Sequence, residues 1–112
     1  QPVLGLLYTI ATGQEYAIGR AVPDGEWQGR PSLRISAKAT RVLRLAVELV
    51  DQQGEVHDCA LTLLPGEWQA LEFDRFDPAV DNWEQITALR VVDRTGSLGG
   101  QGPVSLRLSG LP

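Results

Sequence analysis

Apolar and polar side chains alternate at a two-residue period through most of this chain, and no other feature constrains its fold as strongly. Leu33, Ile35, Ala37 and Ala39 fall on one face of an extended segment, with Arg34, Ser36 and Lys38 on the other. After a short turn, Leu43, Leu45, Val47 and Leu49 repeat the pattern against Arg44, Ala46 and Glu48. Cys59, Leu61 and Leu63 then alternate with Asp58, Ala60 and Thr62. This period belongs to half-buried strands and is incompatible with an amphipathic helix. Because the alternation is strongest between Leu43 and Leu63, those strands are expected to be central and covered.

The punctuation agrees. Asp51 to Gly54 supplies carboxylate and amide side chains and then a glycine, the chemistry of a tight turn, and Pro65 with Gly66 forms the next break. Val104, Leu106 and Leu108 make a regular final strand. Near the start, Val3 to Ile10 and Glu15 to Val22 have strand composition and are separated by Thr12 and Gly13. Two places break the period. Trp68 lies three and five residues before Leu71 and Phe73, and Ile86 stands at the same odd offset from Leu89. A β-bulge or a twisted strand entry at each would return all the apolar residues to one face. Asp77 and Pro78 open the longest internal connection like a capped helical turn, and the glycine-rich stretch from Ser97 to Pro103 reads as a mobile loop. About eight strands spaced near ten residues apart imply an all-β fold, a two-sheet antiparallel β-sandwich or a barrel.

Size and charge limit what such a fold is used for. The 112 residues make a single module, 1–112, with 43% hydrophobic and 21% charged residues, enough for one core. Ten basic residues against fourteen acidic give a net charge of −4, which argues against nucleic acid as a partner. No apolar run approaches the ~18 residues of a membrane-spanning helix, so membrane insertion is not expected. One cysteine and one histidine exclude a disulfide framework and any multi-cysteine zinc site, so no cofactor or metal is expected. The chain contains no methionine. Residue 1 is therefore expected to follow a processing site or a domain boundary in a larger protein.

From Ser32 onward the order of signals resembles the carbohydrate-binding-module and galactose-binding-like jelly rolls. Four pieces carry the likeness: the strand ending in the turn Asp51, Gln52, Gln53, Gly54; Pro65, Gly66, Glu67, Trp68 with Leu71 and Phe73 behind them; the loop through Trp83 to Ile86, Leu89 and Val91; and the glycine-rich loop closing with Val104, Leu106 and Leu108. The resemblance implies a jelly-roll sandwich of about eight strands, and it implies a structural Trp68 that wedges the edge of the core.

Candidate ligand contacts follow from residue chemistry. Trp27 lies in a loop rich in proline, glycine and charge; it either caps the end of the sandwich or offers a flat apolar face on which a sugar ring stacks. Tyr16 is open to both readings. The outward residues Arg34, Arg44 and Arg90, with Glu48 and Arg107, would form a donor-rich face if their strands are neighbours, or else a solvated face of cross-strand ion pairs. Asp74, Asp77 and Asp81 lack the spacing of a calcium loop. His57 and Asp58 are adjacent in a strand and so point to opposite faces, and Cys59 sits on the apolar face as an inert thiol. No nucleophile–base set is present. The expected function is a non-catalytic binding module for a polysaccharide or glycan, part of an extracytoplasmic protein (secreted, periplasmic or cell-surface). The alternative is a structural or protein-interaction sandwich without a small ligand, docking its partner through an arginine-rich face or an exposed strand edge.

Overall fold

The computed structural model describes residues 2–27, 32–74 and 83–112. Eight strands follow one another: β1 Val3–Ile10, β2 Tyr16–Ala21, β3 Ser32–Ala39, β4 Leu43–Asp51, β5 Val56–Leu63, β6 Gln69–Asp74, β7 Ile86–Asp93 and β8 Gly102–Ser109. They form two four-stranded sheets in the orders β1-β8-β3-β6 and β2-β7-β4-β5, with every pairing within them antiparallel. The two apolar faces close on each other as the jelly-roll sandwich. Strand accounts for 62% of the described residues and helix for 6%.

The alternating residues build the core as their parity requires. Leu33, Ile35 and Ala37 of β3 and Leu106 and Leu108 of β8 meet Leu43, Leu45, Val47 and Leu49 of β4, all at most 2% exposed. Trp27 and Trp83 close one end, their ring centres 5.7 Å apart, and Phe73 meets Trp83 edge-on at 6.3 Å. The β4–β5 hairpin turns at the expected place. Asp51 Oδ1 accepts the backbone N–H groups of Gln53 and Glu55, and Gly54 takes φ +80°.

Several expectations need correction. β5 is an edge strand, so the segment from Leu43 to Leu63 is not uniformly central; β4 and β7 hold the middle of one sheet, β8 and β3 that of the other. A bulge does occur at Ile86: Val50 pairs with Ala88 but Asp51 pairs with Ile86, skipping Thr87, and both Ile86 and Leu89 are buried. At Trp68 there is no such device. The residue precedes β6, keeps the parity of Ala70 and Glu72, and is 45% exposed, so it does not wedge the core. The glycine-rich stretch is entered through a 3-10 turn, Gly96–Leu98, whose Gly96 is buried. An added Cβ at Gly96 would overlap the carbonyl oxygens of Gln14 and Ala11, and Gly13 N–H donates to the Gly96 carbonyl at 2.7 Å. Cys59 is half-buried against the core. The helical turn expected at Asp77 lies outside the described residues, as do Asp77 and Asp81 themselves.

Candidate functional site

The sandwich has two outer faces, and the candidate arginines are divided between them. On the β2-β7-β4-β5 sheet, one cross-strand row reads Gly19, Arg90, Glu48, Asp58. Arg90 pairs with Glu48 Oε1 at 2.9 Å, and Arg94 pairs with Glu48 Oε2 at 2.7 Å and with Asp58 at 3.0 Å. Arg94 reaches Glu48 across the row of Ala46 and Val92, which accounts for their being buried (0% and 4% exposed) on an outward face. The hydrogen bond that Arg94 donates to Glu48 holds the Arg94 pKa above its ordinary value. This network satisfies its own charges. Arg44 stands beside it, donating to Thr62 Oγ1 at 2.6 Å, in an open cleft of about 490 Å³ shared with Arg94, Ser97 and Leu98. Arg44 and Arg90 thus share a face, where they act as hydroxyl and ion-pair partners. Arg94 and Asp58 complete the network and were not among the candidates, because Arg94 follows the last strand residue and its reach across a row has no sequence signature.

Trp27 is 2% exposed, so neither face of its ring is open to a sugar. Its capping alternative is the one realised. Tyr16 lies at the seam between the sheets, against the Tyr8 ring at 5.3 Å, in a narrow apolar slot of about 160 Å³ with Leu6, Ile18 and Leu106. Tyr8 Oη donates to Asp93 Oδ2 at 2.6 Å, and burial, followed by this hydrogen bond, pushes the Tyr8 pKa far up.

The outer face of the β1-β8-β3-β6 sheet is built differently. Its middle is floored by small residues: Ser36 faces Ser109 on one side and Ala70 on the other, and Gly5 faces Arg107. Lys38 and Arg107 are directly opposite each other across β3 and β8. Neither side chain makes a hydrogen bond or ion pair with the described residues. They line an open cleft of about 450 Å³ with Thr40, Pro65, Gly66 and Ser105. Arg34 lies four residues along β3, opposite Glu72, and is not within ion-pair distance of it. Trp68 borders this face where β6 begins. It is the one exposed aromatic residue among those described. Sequence reasoning placed Trp68 in the core. The available signal was its odd offset from Leu71 and Phe73, which an unbulged strand translates directly into an outward position.

One cluster has the donor types of a metal site: Asp51, Glu55 and His57 present ligand atoms within 4.8 Å of one another. Asp51 Oδ1 is already used by two turn amides and Oδ2 by His57 Nε2 at 2.9 Å. The cluster is accounted for as the hairpin's own closure.

No protein-family description matches the chain by sequence, and no curated protein is significantly similar to it. Solved structures do match it in shape. Agarase AgWH50C superposes with a TM-score of 0.66 at 12% identity over 98% of this chain and 23% of its own. The family 11 carbohydrate-binding module from Clostridium thermocellum, in complex with a β-1,3-1,4-mixed-linked tetrasaccharide, gives 0.55 at 11% identity over 98% of this chain and 85% of that one. The Yersinia pseudotuberculosis-derived mitogen gives 0.56 at 10% identity over 98% and 86%. The chain therefore has the jelly-roll sandwich fold of a carbohydrate-binding module, and it spans less than a quarter of the agarase chain's length.

Proposed function

We propose that this chain is a non-catalytic glycan-binding module of a larger extracytoplasmic protein, and that it binds on the outer face of the β1-β8-β3-β6 sheet. The observation that carries the reading is Trp68. It is 45% exposed immediately before β6, two residues after the Gly66 that lines the open cleft, and an exposed indole is what a pyranose ring needs for stacking. The apolar C–H face of the sugar covers the ring, while its hydroxyl rim meets donors such as Ser105, Thr40 and Arg107. The floor of serine, glycine and alanine leaves room for a chain to lie across the strands. The oligosaccharide bound by one module of the same fold supports the ligand class, and the agarase, in which the fold occupies 23% of the chain, supports a place within a longer protein.

The test is affinity electrophoresis and pull-down against soluble and insoluble polysaccharides. Wild-type protein is expected to be retained by at least one of them. Trp68→Ala is expected to reduce retention by an order of magnitude or more with an unchanged unfolding midpoint. Folded protein retained by none overturns the proposal.

A second reading, a protein-interaction sandwich, is favoured by one feature. β1 is an edge strand that carries Val3 at 51% and Leu7 at 84% exposure, the apolar edge to which another strand adds.

A further inference from the structure

Resting on the glycan-binding reading, we propose that the ligand of this face is an anionic polysaccharide, one carrying carboxylate or sulfate groups, and that Lys38 and Arg107 receive the negative charge. Like charges directly opposite on paired antiparallel strands repel, and sheets usually avoid the arrangement or place a carboxylate beside it. Here Lys38 faces Arg107 with no counter-ion at ion-pair distance among the described residues. This contrasts with the other sheet, where Arg90 and Arg94 share Glu48 and Asp58. The chain as a whole is acidic, with a net charge of −4, so carboxylates are abundant, yet none of the described ones pairs with Lys38 or Arg107. Glu72 of the adjoining strand faces Arg34 instead, two cross-strand rows away.

The geometry fits a charged sugar. Both cations line the same cleft, together with the hydroxyl-bearing residues Thr40 and Ser105 and with Pro65 and Gly66. A guanidinium offers paired N–H donors to a carboxylate or sulfate, and an ammonium adds a point charge. The anion would then bridge β3 and β8 and relieve the repulsion between them. A neutral sugar would leave that repulsion in place. Trp68 borders the same face and would hold the ring whose substituent the two cations read.

The experiment compares retention of the whole chain in gels containing a polyuronate, a sulfated galactan, agarose, a neutral mixed-linked β-glucan, or inorganic polyphosphate. Retention is expected on the polyuronate, the sulfated galactan or both, and the two arms tell the carboxylate source from the sulfate source. It is expected to fall with added salt, since the contacts are solvent-facing. Lys38→Gln combined with Arg107→Gln is expected to weaken retention at least tenfold. Arg20→Gln, which removes the same kind of charge from the opposite sheet, is expected to leave it unchanged. Binding to agarose or β-glucan alone, insensitive to the double substitution, overturns the anionic ligand while leaving the glycan-binding function intact. Equal retention by polyphosphate overturns it too, by showing a general anion patch. Retention by none of the polysaccharides overturns both.

Discussion

Tyr8, on an edge strand of one sheet, donates a 2.6 Å hydrogen bond to Asp93 on the other, and this contact pins the open seam of the sandwich. Asp93 is 3% exposed, and its second carboxylate oxygen accepts the backbone N–H and the hydroxyl of Thr95. A buried carboxylate is tolerated only when its oxygens are satisfied, and here three donors satisfy it. Tyr8→Phe removes one donor from a charged acceptor, so a loss of about 1–3 kcal/mol in chemical denaturation is expected. The contact also has a pH signature. Burial and then Asp93 raise the Tyr8 pKa above its ordinary value of 10.0. The associated stability is fully present below pH 10.0 and is lost above it, where the unfolded chain releases a proton that the folded chain keeps. Tyr8→Phe should flatten that alkaline decline; an equally steep decline in the variant would show that the Tyr8 proton is not its source.

At the opposite end of the pH scale, the β4–β5 hairpin makes a complementary prediction. The hydrogen bond with His57, followed by those from Glu55 and Gln53, holds the Asp51 carboxyl below its ordinary value of 3.8. A depressed carboxyl contributes stability that is present above pH 3.8 and is lost as the pH falls through the folded-state value. Carboxyl-carbon NMR should find Asp51 titrating below 3.8 in the wild type and moving upward in His57→Gln. An Asp51 midpoint unaffected by the substitution would show that the turn amides alone set it.

The fold was largely legible in the sequence because parity is local. The residues assigned inward on β3, β4 and β8 are inward, and the offset at Ile86 does correspond to a bulge. Sheet order was not legible. Alternation records which side of a strand is covered and carries no information on whether the strand has one neighbour or two, so β5 read like β4 although it lies at an edge. The candidate site was only partly legible. Arg44 and Arg90 were recognised as outward, but which outward residues share a sheet depends on the crossings between β3 and β4, which send Arg34 to the opposite face. That Lys38 pairs with none of the described carboxylates is a property of the assembled surface and has no counterpart in the order of residues.

Neighbouring positions on β4 test the assignment of faces. Leu45 is 1% exposed in the core, and Arg44 points outward to Thr62. Leu45→Ala should cost about 2–5 kcal/mol, the cost of a cavity in a packed interior. Arg44→Ala should stay within about 0.5 kcal/mol, because one exposed hydrogen bond is exchanged for solvent. Urea titrations of the two variants give both values, and similar losses at the two positions would contradict the register of β4 with β5.

The tryptophans provide the sharpest contrast, because parity and burial assign opposite roles to two residues of the same type. Trp27 is 2% exposed, its ring against Trp83, which itself meets Phe73. Removing the Trp27 ring opens a cavity within an aromatic cluster, so Trp27→Ala should cost about 3–5 kcal/mol. Trp68 is 45% exposed and precedes the first core residue of β6, so Trp68→Ala should change stability by about 0.5 kcal/mol or less. Fluorescence separates them without any ligand. In the wild type, acrylamide should quench one of the three tryptophans efficiently, and that accessible component should vanish in Trp68→Ala while persisting in Trp27→Phe. If the quenchable component survives removal of Trp68, the exposed indole on this face does not exist in solution, and the sugar platform built on it fails before any glycan is added.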